Sequence, residues 1–478
     1  MNFRSRIIAG LGWTAGSRLA SQLLSWIITI AVMRILSPGD YGLLAMATVL
    51  IAILSMFSDL GLSHAAISAR EVSIATLRLV FGLAIVVNGI LYGLLFIAAP
   101  FIASFYGEDR LTLIIRVIGL QFLIEALSVI PNVMLQRALE FKWRSIIGLA
   151  TSTATALTTL GLALAGFGVW SLVLGSMTGA VLSMISINRL HPFPHLPSFA
   201  LKGSGKLFIF GGYVVSGRVL GTLYMQADAA IGARMLGSAQ IGFYSVGMQL
   251  ASLPMQRIGG ILNAVAFPAF AQLQHQPELV AHYLLRGLKL LSIFSFPVFW
   301  GIAVVAPEIV GVFLGSKWEP AIVPLQLLAL VMPVRMAWQV MPPVLLGLGH
   351  AKLVAQNHVV AFVCMTGAFL VGSQFGIVGL SLAWVLVFPL VFLANFRTWL
   401  PILHMNAHRF LGTMITPLLA GAGMVATVTA ARVGTKFSEP FSLFFLIATG
   451  AVSYALLIWL LDREAIRDIK SIFQRGGV

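Results

Sequence analysis

Thr14, Arg18, Gln22, Ser25 and Thr29 recur along the first apolar segment at intervals of four, four, three and four positions. On a helix that spacing builds one continuous polar stripe. Arg18 stands about ten residues into the segment, roughly 15 Å along a helix axis, which is near mid-membrane if the segment crosses a bilayer. A guanidinium at that depth is costly unless a polar cavity or an anion compensates it. The chemistry such a residue offers is electrostatic recognition, since its planar fork of donors matches phosphate or pyrophosphate oxygens. The alternative is a structural arginine whose donors are taken by helix-end carbonyls.

A second apolar segment repeats the device. Arg218 is followed on the same helical face by Thr222 and Gln226, and Gly217 and Gly221 leave room for another backbone. Arg257 and Arg335 are also placed inside apolar segments, closer to the inner side, where each either lines a cavity or snorkels to the interface. Glu125 corresponds to position 335 under an offset of 210, a spacing that would allow a gate between the halves. Asp228 is the remaining deep acid, read either as an ion-coupling carboxylate or as a partner of Arg234. The candidate binding set is therefore Arg18, Gln22, Arg218, Gln226, Arg257 and Arg335, with Asp228 and Glu125 as coupling or gating candidates.

The elements that must position these residues follow from composition. The chain is 59% hydrophobic and only 9% charged, against roughly 25% charged in a soluble domain. Apolar runs long enough to cross a hydrocarbon core of about 30 Å recur from end to end. The fold class is all-α and polytopic. The expected spans lie at about 8–33, 41–62, 77–102, 111–131, 146–166, 169–188, 206–232, 241–265, 284–306, 321–343, 353–373, 376–396, 410–431 and 440–461, fourteen in all. The net charge of +15 has no soluble basic domain to carry it, and most Lys and Arg of the connections sort to one side. This predicts an inner-membrane protein with both termini cytoplasmic. The first span, preceded by Arg4 and Arg6, reads as uncleaved because no small-residue cleavage site follows it.

A shift of 200 residues sets Arg18 against Arg218, Arg34 against Arg234 and Gly42 against Gly242. A shift of 208 sets Gly107 against Gly315, and Phe167 and Gly168 against Phe375 and Gly376. Ordered matches of this kind predict two parallel six-helix lobes, 1–190 and 206–400, joined by a cytoplasmic linker at 191–205 and followed by two C-terminal helices and a tail at 401–478. The linker carries His191 and His195 among prolines and without acidic or cysteine neighbours in sequence, so it reads as a stiff connection rather than a metal site. The lone Cys364 forms no intrachain disulfide. Gly175 and Gly179 are spaced for close helix contact. Trp143, Trp318 and Trp399 fall near expected interfaces and read as membrane anchors.

Together with Arg18, two segments carry a family resemblance: Arg34-Ile35-Leu36-Ser37-Pro38-Gly39-Asp40-Tyr41-Gly42-Leu43, and Asp228 to Gly237 continued by Ile241-Gly242-Phe243-Tyr244. The chain resembles bacterial oligosaccharide flippases of the polysaccharide-transporter family, Wzx-like, in the multidrug/oligosaccharidyl-lipid/polysaccharide exporter superfamily, over about residues 5–430. The resemblance implies two lobes around an alternating-access cavity. Its cargo would be an undecaprenyl-diphosphate-linked repeat unit, moved to the periplasmic leaflet for exopolysaccharide, capsule or lipopolysaccharide assembly. It implies membrane lipids, a polysaccharide polymerase and export machinery as partners, with no nucleic acid. No bond is broken, so the protein is read as a transporter and not an enzyme, with no cofactor. Proton or sodium exchange, or removal of product by the polymerase, remain alternative sources of direction. A peptidoglycan-precursor flippase would carry more deep arginines in the first half, and a multidrug-cation exporter would need deep acids. A polymerase or ligase would need a larger outer surface, and a non-catalytic scaffold would have no use for buried arginines.

Overall fold

Inside hydrocarbon no water meets a bare amide, so each crossing segment must close its own backbone hydrogen bonds, and a helix does so. The computed structural model describes residues 26–58, 73–138, 140–199, 205–434 and 438–463, with the backbone alone at 141, 205–218, 257–269 and 439. Every regular element among them is a helix. Ten described helices are long and apolar enough to cross a membrane, or eleven if one bent pair counts as a single span. The protein is an all-α, polytopic membrane protein.

In chain order the helices are α1 (Trp26–Ile35), α2 (Pro38–Ser58), α3 (Ile74–Tyr106), α4 (Arg110–Ala126), α5 (Val129–Arg137), α6 (Phe141–Leu164), α7 (Val169–Leu190) and α8 (Gly205–Gln272). They continue with α9 (Pro277–Val304), α10 (Ile322–Gly347), α11 (Ala351–Ser373), α12 (Gly376–Ala394), α13 (Phe396–Ile402), α14 (Ala407–Gly434) and α15 (Glu439–Leu461). The long α8 is two helical limbs meeting at Gly237, whose φ of 81° and ψ of 175° no helix contains. The expected straight span at 111–131 is instead broken, α4 and α5 meeting at 48°. Pro131 explains the bend, because it cannot donate to the Leu127 carbonyl one turn back. The side chain of Asn188 donates to that carbonyl instead, at 3.1 Å.

The chain divides into two compact units, Met1–Gly242 and Phe243–Val478. In the first, α2 packs on α3, α4 and α7, and α6 pairs with α7. Small residues let this last pair approach: a Cβ on Gly175 would stand 1.9 Å from Thr159 Oγ1, and one on Gly179 2.1 Å from Thr155 Oγ1. Close contact at this glycine pair is what the spacing predicts. At mid-bundle Ser58 donates to Asn88 Oδ1 at 2.6 Å, while Asn88 Nδ2 donates to the Ser58 and Ala84 carbonyls. A buried amide is thereby satisfied without water.

The segment following α7 lies along α3. Arg78 Nε donates to the Leu196 carbonyl at 2.9 Å, the Ser198 amide donates back to the Arg78 carbonyl at 2.8 Å, and Phe193 meets Phe81 edge-on. His191 Nε2 lies 3.3 Å from Glu140 Oε2, an acid far away in sequence. No cluster able to hold a metal occurs among the described residues.

In the second unit α10 packs on α9, α11 and α12, and α14 packs on α9 and α15. Arg432 grips both oxygens of Glu308 at 2.8 Å and donates to the Val304 carbonyl, tying α14 to the end of α9. The core is aromatic, with Trp338, Phe392, Phe396 and Trp399 in mutual edge and tilted contacts. This corrects the expected belt of anchors. Trp143 is exposed, but Trp318 and Trp399 are buried, because the short elements Ser316–Ala321 and α13 fold inward and place their indoles against Phe243 and Trp338.

The glycines matched by the offset of 208 share the sign of φ. Gly107 and Gly315 take φ of 70° and 88°, and Gly168 and Gly376 take 54° and 72°. Each matched pair places glycine at a positive φ, but the turns differ, since ψ is 31° at Gly107 and 172° at Gly315.

Candidate anion-binding residues

Helix α10 is rich in Leu, Met and Val, and it carries Pro333, Pro342 and Pro343 without breaking. Pro333 costs the ladder a donor, and Trp300 Nε1 donates to the nearby Leu330 carbonyl at 3.0 Å. Arg335 follows two residues later, with about 20 Å of helix on either side of it. It is only 7% exposed.

The guanidinium of Arg335 lies 4.0 Å above the ring of Trp384 on α12. Its Nη1 is 3.4 Å from Met248 Sδ and 3.9 Å from Met332 Sδ. Trp384 is held flat beneath it by an indole hydrogen bond to Tyr244 Oη at 2.9 Å and by Phe369 and Phe388. Thioethers are weak acceptors, and a cation–π contact contributes about 0.5–2 kcal/mol. Burying a full charge costs several kcal/mol, and an arginine cannot escape by losing its proton. Among the described residues of its unit no carboxylate pairs with Arg335. One turn on, Gln339 holds a buried Oε1 without a hydrogen-bond partner. The arrangement is a desolvated cation on an aromatic plate, in surroundings of low dielectric. It favours an anion.

A second cluster lies in the first unit, where two glycine-bearing turns meet. Ser37 precedes α2, and its amide and hydroxyl donate to Asp40 Oδ2 at 3.0 and 2.6 Å, while the Asp40 amide donates to Ser37 Oγ at 3.2 Å. This is a capping box with aspartate in place of glutamate. The other oxygen, Oδ1, accepts from the Val169 amide at 2.9 Å, anchoring the start of α7. Just beyond, a Cβ on Gly42 would stand 1.7 Å from the Ser238 carbonyl oxygen, and one on Gly242 1.8 Å from that of Pro38. The two glycines matched by the 200-residue offset thus sit in one contact, each against the other's turn. Ser238 Oγ donates to Glu108 Oε1 at 2.5 Å, and the Arg234 guanidinium lies 5.3 Å above Phe105.

The other candidates fall as follows. Arg18 and Gln22 lie outside the described residues, and Arg218 and Arg257 lie on α8 where the backbone alone is described. Gln226 is half-buried. Asp228 is buried, with Oδ1 accepting from the Ala229 amide at 2.7 Å. Arg234 faces Phe105. Glu125 is exposed in the last turn of α4 and belongs to the first unit, whereas Arg335 and its contacts Trp384, Met248 and Met332 belong to the second. Arg335 is correspondingly a packed residue and not an interfacial anchor. The residues missed from the sequence are Trp384, Tyr244 and Gln339. The four-residue step from Arg335 to Gln339 was readable; the pairing with an indole 49 positions away was not.

Comparison with known proteins places this geometry. The chain is 24% identical over 469 residues to the succinoglycan biosynthesis transport protein ExoT of Rhizobium meliloti (strain 1021), covering 97% of this chain and 94% of that one. It is 25% identical over 475 residues to the teichuronic acid biosynthesis protein TuaB of Bacillus subtilis (strain 168), covering 95% of each. Among solved structures its fold resembles the lipid II flippase MurJ in an inward closed conformation, with a TM-score of 0.76, 14% identity and coverage of 95% of this chain and 99% of that one. Residues 31–323 match the family model described as "Polysaccharide biosynthesis protein", and since that match spans more than half of its length, the chain belongs to this family.

Proposed function

We propose that this protein is a flippase that moves a lipid-linked oligosaccharide repeat unit, carried on undecaprenyl diphosphate, from the cytoplasmic to the periplasmic leaflet for extracellular polysaccharide, capsule or lipopolysaccharide assembly. The observation that carries the reading is Arg335, a guanidinium buried at mid-helix that no described carboxylate of its unit pairs with. A diphosphate supplies the missing counter-charge and the geometry a guanidinium fork prefers. The relatives support it by name, one being a transport protein of succinoglycan biosynthesis and another a protein of teichuronic acid biosynthesis.

In this reading fourteen spans form lobes at 1–190 and 206–400, joined at 191–205 and followed by two further helices at 401–478, with both termini cytoplasmic. Glycine at positive φ at both members of each matched pair supports the repeat. Arg18, Gln22, Arg218, Gln226 and Arg257 line the same transport route as Arg335, and Asp228 and Glu125 serve coupling or gating. The head group crosses while the prenyl tail stays in lipid, and no covalent step occurs. Proton or sodium exchange, or removal of product by a periplasmic polymerase, gives direction. Cysteine tags at Asn2, Glu108, His195, Lys317 and Arg475 should label inside, outside, inside, outside and inside; an outside His195 would overturn the repeat boundaries.

The decisive experiment is leaflet exchange of an undecaprenyl-diphosphate-linked glycan in vesicles containing the purified protein. Exchange should accelerate without glycan elongation or nucleotide hydrolysis. Alanine at both Arg18 and Arg218 should impair it at normal membrane abundance, and lysine should restore part of the activity. Exchange equal to that of empty vesicles, or protein-dependent sugar polymerisation, rejects the function; normal exchange by the double-alanine protein rejects the proposed binding residues.

A further inference from the structure

The opening turns of α9 are built differently from the rest of that helix. Glu278, His282, Arg286 and Lys289 follow one another at four, four and three positions, forming one polar face, while Val280, Leu284 and Leu288 are buried on the other. After Lys289 the sequence turns apolar as far as Val305, with no charge in between. The polar face therefore lies where hydrocarbon gives way to the headgroup layer.

That face borders a cavity of about 900 Å³ whose opposite wall is the α13–α14 loop and the start of α14, bringing His404 and Arg409 to it. His404 is the one described non-glycine residue with a positive φ, at 49°. Its neighbours Leu403 and Met405 are both buried, whereas His404 itself is exposed. Such a conformation costs about 1 kcal/mol and persists where its surroundings impose it. The cavity is thus lined by three permanent cations, two imidazoles and one carboxylate, Glu278. Asp462, at the end of α15, adds a second carboxylate, bound to Lys289 at 2.6 Å.

We propose that this cavity binds the phosphate headgroup of an anionic membrane phospholipid, with Arg286 and Arg409 as its principal contacts. A basic pocket between membrane helices at interfacial depth takes a phosphate diester without drawing the lipid out of its leaflet. The excess of cations favours an anionic headgroup over a zwitterionic one. Two guanidiniums on separate helices bridge a phosphate and couple α9 to α14. Glu278 discriminates against headgroups bearing more negative charge than the cations can match. The site does not include Arg335 and does not depend on the cargo proposed above.

The test uses the full-length protein in nanodiscs of phosphatidylcholine containing a minor share of phosphatidylglycerol, with retained lipids counted by native mass spectrometry. The wild type should retain phosphatidylglycerol preferentially. R286Q/R409Q should lose roughly ten- to thirtyfold of that preference, from about 1 kcal/mol per removed cation. R397Q, which removes an exposed cation outside the cavity, should keep it. Thermal unfolding of each variant separates lost binding from lost folding, and R286K/R409K, which keeps both charges, should retain most of the preference even if the glutamine variant is unstable. Unchanged preference in folded R286Q/R409Q, an equal loss in R397Q, or no preference in the wild type overturns the proposal. Displacement of phosphatidylglycerol by millimolar inorganic phosphate also overturns it, by assigning the cavity to a soluble anion.

Discussion

Replacing Arg335 by methionine is expected to abolish most transport while raising thermal stability. The two effects have one origin. A buried guanidinium with thioether and indole partners carries a desolvation cost that those partners do not repay, and an apolar side chain of similar length removes it. The same substitution removes the charge that a diphosphate would meet, and loss of a charge-assisted contact in a dry site costs about 2–4 kcal/mol, or roughly 30- to 1,000-fold in exchange rate. Arg335→Lys should fall between, keeping the charge while losing the fork and much of the stacking on Trp384. The measurements are leaflet exchange normalised to inserted protein and the midpoint of heat-induced unfolding in detergent. A purely structural arginine predicts the reverse pattern, in which Arg335→Met unfolds at lower temperature; that result would remove Arg335 from the binding site.

The second large effect is expected at the paired turns. With a Cβ 1.7 Å from the Ser238 carbonyl, valine at Gly42 must push the two turns apart, and valine at Gly242 must do the same against Pro38. Backbone atoms cannot rotate out of the way, so each substitution should cost about 3 kcal/mol or more. Displacement of the turn also endangers the Ser238–Glu108 hydrogen bond and the Arg234–Phe105 stack. The double variant should cost little more than the worse single one, because the first substitution already opens the contact the second would strain. Gly93→Ala on α3, where nothing lies within 4 Å, is the control and should leave stability nearly unchanged. Fraction folded after heating, read by size-exclusion chromatography, measures all four proteins. Full additivity of the two valines would mean that the glycines do not share one contact.

The amino-acid sequence by itself determined that this is an all-helical membrane protein, because an apolar chain inside lipid has few other ways to pair its amides. It also marked the turns. Gly107, Gly168, Gly315 and Gly376 were legible as matched positions because a backbone with positive φ favours glycine. Gly175 and Gly179 were legible for a similar reason, since close approach of two helices requires small residues at a fixed interval.

What tertiary structure alone decided are the facts that depend on contacts far apart in the chain. An indole near the end of a span looks the same in sequence whether it faces the interface or the core, and the inward folding of two short elements buried Trp318 and Trp399. The bend between α4 and α5 depended on Pro131, and the carbonyl it freed was satisfied by Asn188 on another helix. Arg335 was visible as a deep cation, but its neighbours were not: Met248, Trp384 and Tyr244 arrive from other helices, and helical periodicity specifies which face a residue occupies without specifying what packs against it. Gly42 and Gly242 were visible as positions matched by the 200-residue offset, and only the folded chain set each against the other's turn, because a match in sequence does not specify packing.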